Sequence, residues 1–424
     1  MRRLREAVFF IFLLLLPTQL GRHFWPEWTR VLGLRIDYLS PTFYLTDIIL
    51  FFLILSFLPQ VFSSLQKGFR EKRFWFLAGG VFLLCLFFGI FRAKVPPAGF
   101  YWMAKLGEFV FLAFYLTQTI KTSSQFKKIT LFLSSGVIFE SLLCLGQFLK
   151  QGSIGGPIWW LGERTFTGQT PGIAQADLNG ELFLRPYGTF SHPNVLAGYL
   201  VVVLALILGT DVNQKWGKWL RWLAIVFGGL ALFFTFSRLA WITGFLIFFY
   251  WLIVQKKWLL TFLIILFLFL VSGSVQARFR TLATFESESW QKRQELNIAA
   301  WEMIKAHPLF GVGLGNFLVE LPKYHQEQGA VRFLQPAHNL YLMITSETGL
   351  VGLSFFLAFL LATFKRLLKK QFSNLAMKQV SLGLLFSLLT ILSLSFFDHY
   401  FYTLQQTQLL LSLVFGLSWV KIKD

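Results

Sequence analysis

Residues 335–341 read Gln-Pro-Ala-His-Asn-Leu-Tyr, and they end a long polar interruption, residues 275–341, in an otherwise apolar chain. Hydrophobic residues resume directly after His338, in a stretch long enough to cross a membrane. Of the 424 residues, 55% are hydrophobic, 18% aromatic and 14% charged, and apolar runs recur along the sequence. This composition excludes a soluble protein and predicts an integral membrane protein.

Twelve apolar runs are predicted to span the membrane. They are residues 7–20, 41–62, 74–91, 101–120, 129–149, 191–210, 222–236, 239–254, 258–273, 338–364, 379–396 and 404–420. We therefore expect an all-α polytopic membrane protein with about 12 transmembrane helices and a large extracytoplasmic loop that contains helices.

These spans divide the chain into four parts. The division gives 1–128 with helices 1–4, 129–273 with helices 5–9 and an outer loop at 150–190, a large extracytoplasmic loop at 274–337, and 338–424 with helices 10–12.

The distribution of basic residues predicts which links between the spans face the cytoplasm. The links predicted to be cytoplasmic hold 22 Lys and Arg in 57 residues, against 16 in 143 residues for the links predicted to be outside. This asymmetry follows the positive-inside rule and predicts that both termini are cytoplasmic. The net charge of +19 is therefore interpreted as orientation in the bilayer, and no nucleic-acid partner is expected.

Residues 289–307 have the pattern of an amphipathic helix. Apolar residues recur at helical spacing at Leu296, Ala300 and Ile304, and Pro308 follows the last residue. Arg293 lies on the same stripe, where a guanidinium needs an anionic partner.

His338 is predicted at the start of the tenth span, on the outer surface. The positive end of a helix and partial burial both favour the neutral imidazole, which can accept a proton. The alternative is a histidine that caps the helix or lies at the interface.

Arg238 lies in the short turn Phe236-Ser-Arg between two apolar spans, with Ser237 as an expected N-cap. A charge so close to the hydrocarbon normally faces the protein interior, although a side chain that reaches the lipid headgroups is the alternative. A third basic group, Arg185, opens Arg-Pro-Tyr-Gly-Thr-Phe-Ser-His-Pro-Asn, which leads through His192 and Asn194 into the sixth span. Arginines at the outer ends of several helices would suit a diphosphate.

Other chemistry has little support in the sequence. The two cysteines, Cys85 and Cys144, lie within apolar runs, so neither a disulfide framework nor a cysteine metal site is expected. No cluster of acidic residues, His or Cys has the usual spacing of metal ligands. Lys105 and Glu108 are at neighbouring helical positions and are expected to neutralise each other.

Together the motifs resemble the O-antigen ligase and O-antigen polymerase superfamily. The resemblance covers residues 130–420 and is carried by four segments in a specific order. These are Gly188-Thr-Phe-Ser-His-Pro-Asn194, Phe236-Ser-Arg238, the Arg293 helix that leads into His307-Pro-Leu-Phe-Gly-Val-Gly-Leu-Gly-Asn316, and Ala337-His-Asn-Leu-Tyr341 with Glu347-Thr-Gly-Leu-Val-Gly352.

The resemblance implies a GT-C type glycosyltransferase of the bacterial inner membrane. Such an enzyme would move a glycan from an undecaprenyl-diphosphate carrier to an acceptor hydroxyl, with inversion and without a metal, cofactor or nucleotide sugar. His338 would be the general base, and Arg238 and Arg293 would hold the diphosphate. Arg185 and His192, with the adjacent motif residues Asn194 and Asn339, would bind substrate.

The acceptor could be another glycan, lipid A-core or a protein, since these branches of the superfamily share the motifs. The alternative from a different class is a multi-span transporter or flippase for lipid-linked glycan. In that case the arginines would bind the same diphosphate during its passage across the membrane.

Overall fold

The computed structural model describes residues 2–71, 73–178, 180–256, 288–325, 333–370 and 375–422. Most of this part of the chain is helical, which agrees with a helical membrane protein. The helices are α1 (Arg2–Leu15), α2 (Leu45–Glu71), α3 (Arg73–Arg92), α4 (Pro96–Thr119), α5 (Ser123–Lys150), α6 (Pro193–Leu208), α7 (Lys215–Phe234), α8 (Arg238–Val254), α9 (Glu288–Ala306), α10 (Phe317–Tyr324), α11 (Leu340–Lys370), α12 (Leu375–Leu394), α13 (Tyr400–Thr403) and α14 (Gln405–Trp419).

Four of the described helices, α2, α5, α7 and α11, are long and apolar enough to cross a membrane, judged by length and composition. Four shorter apolar helices, of 10–17 residues, lie at Phe76–Arg92, Pro193–Leu208, Arg238–Val254 and Lys378–Leu394. Eleven of the twelve predicted spans overlap a described helix, whereas the ninth, 258–273, lies outside the described residues. The number twelve and the four-part division of the chain remain predictions.

Helix α6 is buried along nearly its whole length because its sequence is apolar on every side. It packs against α5, α7, α8 and α12. At the other side of the bundle α14 packs against α4, α11 and α12. The segments that follow α5 and α12 are thereby held at fixed positions relative to the start of α6.

Three antiparallel strand pairs depart from the all-α expectation. Strands β1 (Gly21–His23) and β4 (Thr42–Tyr44) pair, as do β2 (Arg30–Val31) with β3 (Leu34–Arg35), and β5 (Gln175–Leu178) with β6 (Glu181–Leu184). Strands of two to four residues are too short to show the alternation of apolar and polar residues from which strands are recognised. The sequence therefore predicted loops for five of these strands and placed β4 at the start of the second span, 41–62.

The apolar stripe of α9 is buried as predicted. Leu296, Ala300 and Met303 are fully buried, and the helix covers Glu288–Ala306, close to the expected 289–307. The stripe packs against α10 and against apolar residues of the α1–α2 segment, residues 16–44. That second contact was not anticipated, and it brings the start of the chain to the predicted extracytoplasmic loop.

Helix α11 contains a break at Gly349, whose φ is 68°. A Cβ at this position would lie 2.1 Å from the carbonyl oxygen of Leu309, so the glycine permits a close approach of two backbones. Before the break, Glu347 accepts hydrogen bonds from the backbone N–H groups of Gly315 (2.9 Å) and Phe317 (3.1 Å). The glycine-rich loop after α9 is thereby fixed to the helix that follows His338.

Candidate active site

A cavity of about 820 Å³ lies where segments far apart in the sequence meet. Its walls include residues from 19–44, 101–105, 159–164, 191–195, 333–338 and 398–408, together with Arg293. Four of the predicted outer segments contribute to it, through Tyr38, Arg164, Arg293 and His399. A volume of this size is in the usual range for small-molecule sites.

His338 lines the cavity and is 9% exposed. Among the described residues its Nδ1 has no hydrogen-bond partner. Burial, reinforced by the positive groups around it, lowers the pKa of His338 to about 3 and keeps the imidazole neutral. The side chain therefore presents an unoccupied nitrogen that can accept a proton.

Asn339, and not His338, caps the helix that follows. Its side-chain oxygen accepts a hydrogen bond from the N–H of Leu342 (3.0 Å), and its Nδ2 donates to the carbonyl of Phe396 (3.2 Å). Helix α11 consequently begins at Leu340, and the capping explanation for His338 is wrong. A substrate contact of Asn339 remains a prediction.

Asp398 and His399 are site residues that the sequence analysis missed. The rings of His338 and His399 are 5.1 Å apart at 78°, an edge-to-face contact. His399 Nδ1 is 2.7 Å from the hydroxyl of Thr403, and its Nε2 is 4.0 Å from Asp398. The signal for them was weak: a charged pair between the last two predicted spans, where no long loop marks a site.

The carboxyl of Asp398 is held in its ionised form. Burial by itself would raise its pKa, but the neighbouring His399, His338 and Arg293 outweigh that effect and lower the pKa. A carboxylate next to two imidazoles can stabilise a positive charge that develops on either of them.

Arg293 projects from α9 into the same cavity. The anionic partner that was predicted for it remains a prediction. The positive charge of Arg293 is one of the influences that lower the pKa values of His192, His338 and His399. Arg164 also lines the cavity, and its Nη1 donates to the carbonyl of Ser191 (3.1 Å). Two guanidinium groups therefore border one cavity.

His192 is the N-cap of α6, and Pro193 is the first residue of that helix. The Nδ1 of His192 accepts a hydrogen bond from the N–H of Asn194 (3.1 Å), so in the neutral imidazole Nε2 carries the proton and can act as a donor. Burial, with the charge of Arg185, lowers the pKa of His192 to about 3.

Arg185 and Asn194 lie behind the cavity wall. Arg185 is 8% exposed, and it donates from Nε to the carbonyl of Thr235 (2.7 Å) and from Nη2 to Oδ1 of Asn194 (2.6 Å). Neither side chain is among the described residues that line the cavity. Their visible role is to tie the start of α6 to the turn before α8, and substrate binding by them remains a prediction.

Arg238 is the first residue of α8, after the N-cap Ser237. Phe236 before it has a φ of 51°, the left-handed conformation that makes the turn between α7 and α8 sharp. Arg238 is half-buried, and within the described part of the chain the lining of the cavity does not include it. The structure thus brings His338 and Arg293 into one cavity, and the predicted role of Arg238 remains untested.

His338, Asp398 and His399 each offer a ligand atom, and these atoms lie within 4.8 Å of one another. Such a group could hold a metal ion. The sequence indicated no metal cluster because two of the three positions are about sixty residues from the third. The expectation that the site works without a metal therefore remains a prediction, which removal of metal ions would test.

Comparison with known proteins gives one match. Residues 222–357 match a family model described as O-antigen ligase. The matched region contains Arg238, Arg293 and His338, and it extends into α11. No curated protein matches the chain.

Proposed function

We propose that the chain is a glycosyltransferase of the O-antigen ligase and polymerase superfamily, and that it transfers a glycan from an undecaprenyl-diphosphate carrier to an acceptor hydroxyl. The match of residues 222–357 to the O-antigen ligase family supports the proposal. The transfer takes place on the outer side of the bacterial inner membrane and inverts the anomeric configuration. It needs no metal, cofactor or nucleotide sugar. The single observation that carries the proposal is that neutral His338 and Arg293 line one cavity of about 820 Å³.

The reaction balances with the groups present. The acceptor hydroxyl donates its proton to the neutral imidazole of His338 as its oxygen attacks the anomeric carbon of the donor. The new glycosidic C–O bond forms while the bond from that carbon to the diphosphate breaks. Undecaprenyl diphosphate leaves with the electron pair, and the proton remains on His338.

Guanidinium groups stabilise the leaving group. A diphosphate gains negative charge as its bond to the sugar breaks, and Arg293, with Arg238 as the second predicted ligand, can bind its oxygens in a bidentate manner. Fixed positive charges at the place where negative charge develops lower the barrier directly. Arginine thus supplies the positive charge that a divalent cation supplies in many reactions of phosphate groups.

Asp398 and His399 support the base. As His338 takes the proton it becomes an imidazolium, and the neighbouring Asp398 carboxylate favours that charged form. His399 fixes the ring of His338 by its edge-to-face contact. The carboxylate thus acts through the base and does not take the proton itself.

The test uses purified protein reconstituted in vesicles with a lipid-linked repeat unit, alone and with lipid A-core, in buffer that contains a chelator. We expect a new glycosidic product. Longer chains from the repeat unit alone indicate a polymerase, and product that needs lipid A-core indicates a ligase. Exchange of the lipid-linked glycan between leaflets without product would contradict the proposal and favour the transporter.

A further inference from the structure

The α1–α2 segment, residues 16–44, forms one wall of the cavity. Val31, Ile36 and Leu39 in this segment are buried with the apolar stripe of α9, so the wall is fixed to the helix that carries Arg293. The segment lies outside the matched region, residues 222–357. Its chemistry is therefore additional to that of the matched family domain.

Tyr38 connects this segment to the proposed base through His399. Its ring contacts His399 edge to face, with the centroids 5.4 Å apart at 81°, and His399 in turn contacts His338. Tyr38 lines the cavity, and among the described residues its hydroxyl makes no hydrogen bond. The side chain is half-buried, so a ligand in the cavity can reach its hydroxyl.

The charges around this hydroxyl favour a neutral partner. Burial, with the negative charges of Asp398 and Asp37, raises the pKa of Tyr38, so the hydroxyl stays protonated and can donate. The same carboxylates repel a diphosphate. Arg293 and Arg164 also line the cavity, and their guanidinium groups can bind the anionic carrier.

The wall next to Tyr38 also has the character of a sugar site. Tyr44, Tyr101 and Trp102 line the cavity there, and Lys105 lies 5.4 Å and 5.8 Å from the first two ring centres. The lysine does not make this wall cationic. Its Nζ contacts the carboxylates of Asp47 and of Glu108 (3.3 Å), so the predicted Lys105–Glu108 pair is part of a larger group.

We propose that the α1–α2 segment forms the acceptor subsite of this enzyme, and that Tyr38 donates a hydrogen bond to a hydroxyl or ring oxygen of the acceptor sugar. The contact holds the attacking hydroxyl near His338, while the diphosphate of the donor binds Arg293. The inference rests on the proposed transfer reaction and adds the residue that recognises the acceptor.

Tyr38→Phe tests this, because the substitution removes the hydroxyl and keeps the ring that packs on His399. With the lipid-linked donor saturating and lipid A-core varied, or the monomeric repeat unit varied against preformed lipid-linked chains, the KM for the acceptor should rise about 3- to 10-fold. The KM for the donor and the Tm should not change. Tyr324→Phe is the matched control, since Tyr324 packs near α9 but does not line the cavity.

Acceptors that lack single hydroxyl groups identify the contact. If Tyr38 binds one of these hydroxyl groups, the native protein should bind the acceptor that lacks this group more weakly than the complete acceptor. Tyr38→Phe should bind the two acceptors equally well. An unchanged acceptor KM, or a rise in the donor KM instead, overturns the acceptor assignment while transfer stands. No transfer by the native protein overturns the proposed function and this inference with it.

Discussion

At the scale of single residues, the site depends on a histidine kept neutral by burial among positive groups. His338 has an unpartnered Nδ1 within the described structure, and the Arg293 guanidinium borders the same cavity. The proposed base and the proposed anion-binding group therefore border the same cavity. Asp398 supplies the opposite charge that a protonated imidazole needs.

Replacement of His338 tests the base. General-base assistance contributes roughly 10²- to 10⁴-fold, so His338→Ala should reduce kcat by about that factor. Membrane insertion and the Tm should be close to those of the native protein. His307→Ala is the matched control, because His307 does not line the cavity, and it should keep near-normal turnover. Comparable turnover by His338→Ala and the native protein would exclude the role.

The pKa of His338 predicts an unusual pH profile. With a pKa of about 3 the base is neutral at higher pH and is lost only as the pH falls toward that value. We therefore expect kcat/KM for the donor to stay level from about pH 8 down to about pH 5. A bound diphosphate adds negative charge and raises the pKa, so kcat should begin to fall at a higher pH than kcat/KM.

Both pH profiles are measured with the protein in vesicles, and its stability is checked at each pH. The profiles test whether His338 is neutral in the free protein. A loss of kcat/KM centred near pH 6.5, the ordinary value for histidine, would show that His338 is not held neutral in the free protein.

At the scale of elements, the break at Gly349 sets where the site helix can pack. The glycine-rich loop approaches the backbone of α11 at this point, and Glu347 fixes the loop through the N–H groups of Gly315 and Phe317. The hydroxyl of Tyr402 also donates to Glu347 (2.7 Å), which ties the loop to the segment after Asp398. One buried carboxylate thereby joins three elements around the cavity.

Gly349→Ala should destabilise the protein by about 2–4 kcal/mol, since the new Cβ has no room and the left-handed φ is unfavourable for alanine. The matched control is Gly229→Ala in α7, where a Cβ would meet no atom within 4 Å. That change should be neutral or stabilise the helix by up to about 1 kcal/mol. Thermal unfolding in the same detergent compares them, and equal Tm values for the two variants would contradict the close approach.

At the scale of the whole molecule, the predicted topology places both termini in the cytoplasm and the cavity outside. Labelling tests it after Cys85 and Cys144 are replaced by serine. A membrane-impermeant maleimide added to intact spheroplasts should label Glu181→Cys, in a predicted outer loop, and not Ser124→Cys, in a predicted inner one. Both positions are exposed on the surface of the protein, so a difference in labelling reports the side of the membrane and not burial of the side chain. Labelling of Ser124→Cys from outside would invert the assignment.

The sequence by itself determined the class of the protein, the amphipathic α9 and the resemblance to the O-antigen ligase and polymerase superfamily, because apolar runs, helical periodicity and ordered motifs are local or semi-local patterns. His338 and Arg293 were found in this way, since each is conspicuous in its own segment. The tertiary structure alone decided that Asp398, His399 and Tyr38 join them, and that Arg185 and Asn194 lie behind the wall. The physical reason is that burial, charge coupling and ring contacts form between segments hundreds of residues apart, and no local pattern encodes which of those segments will meet.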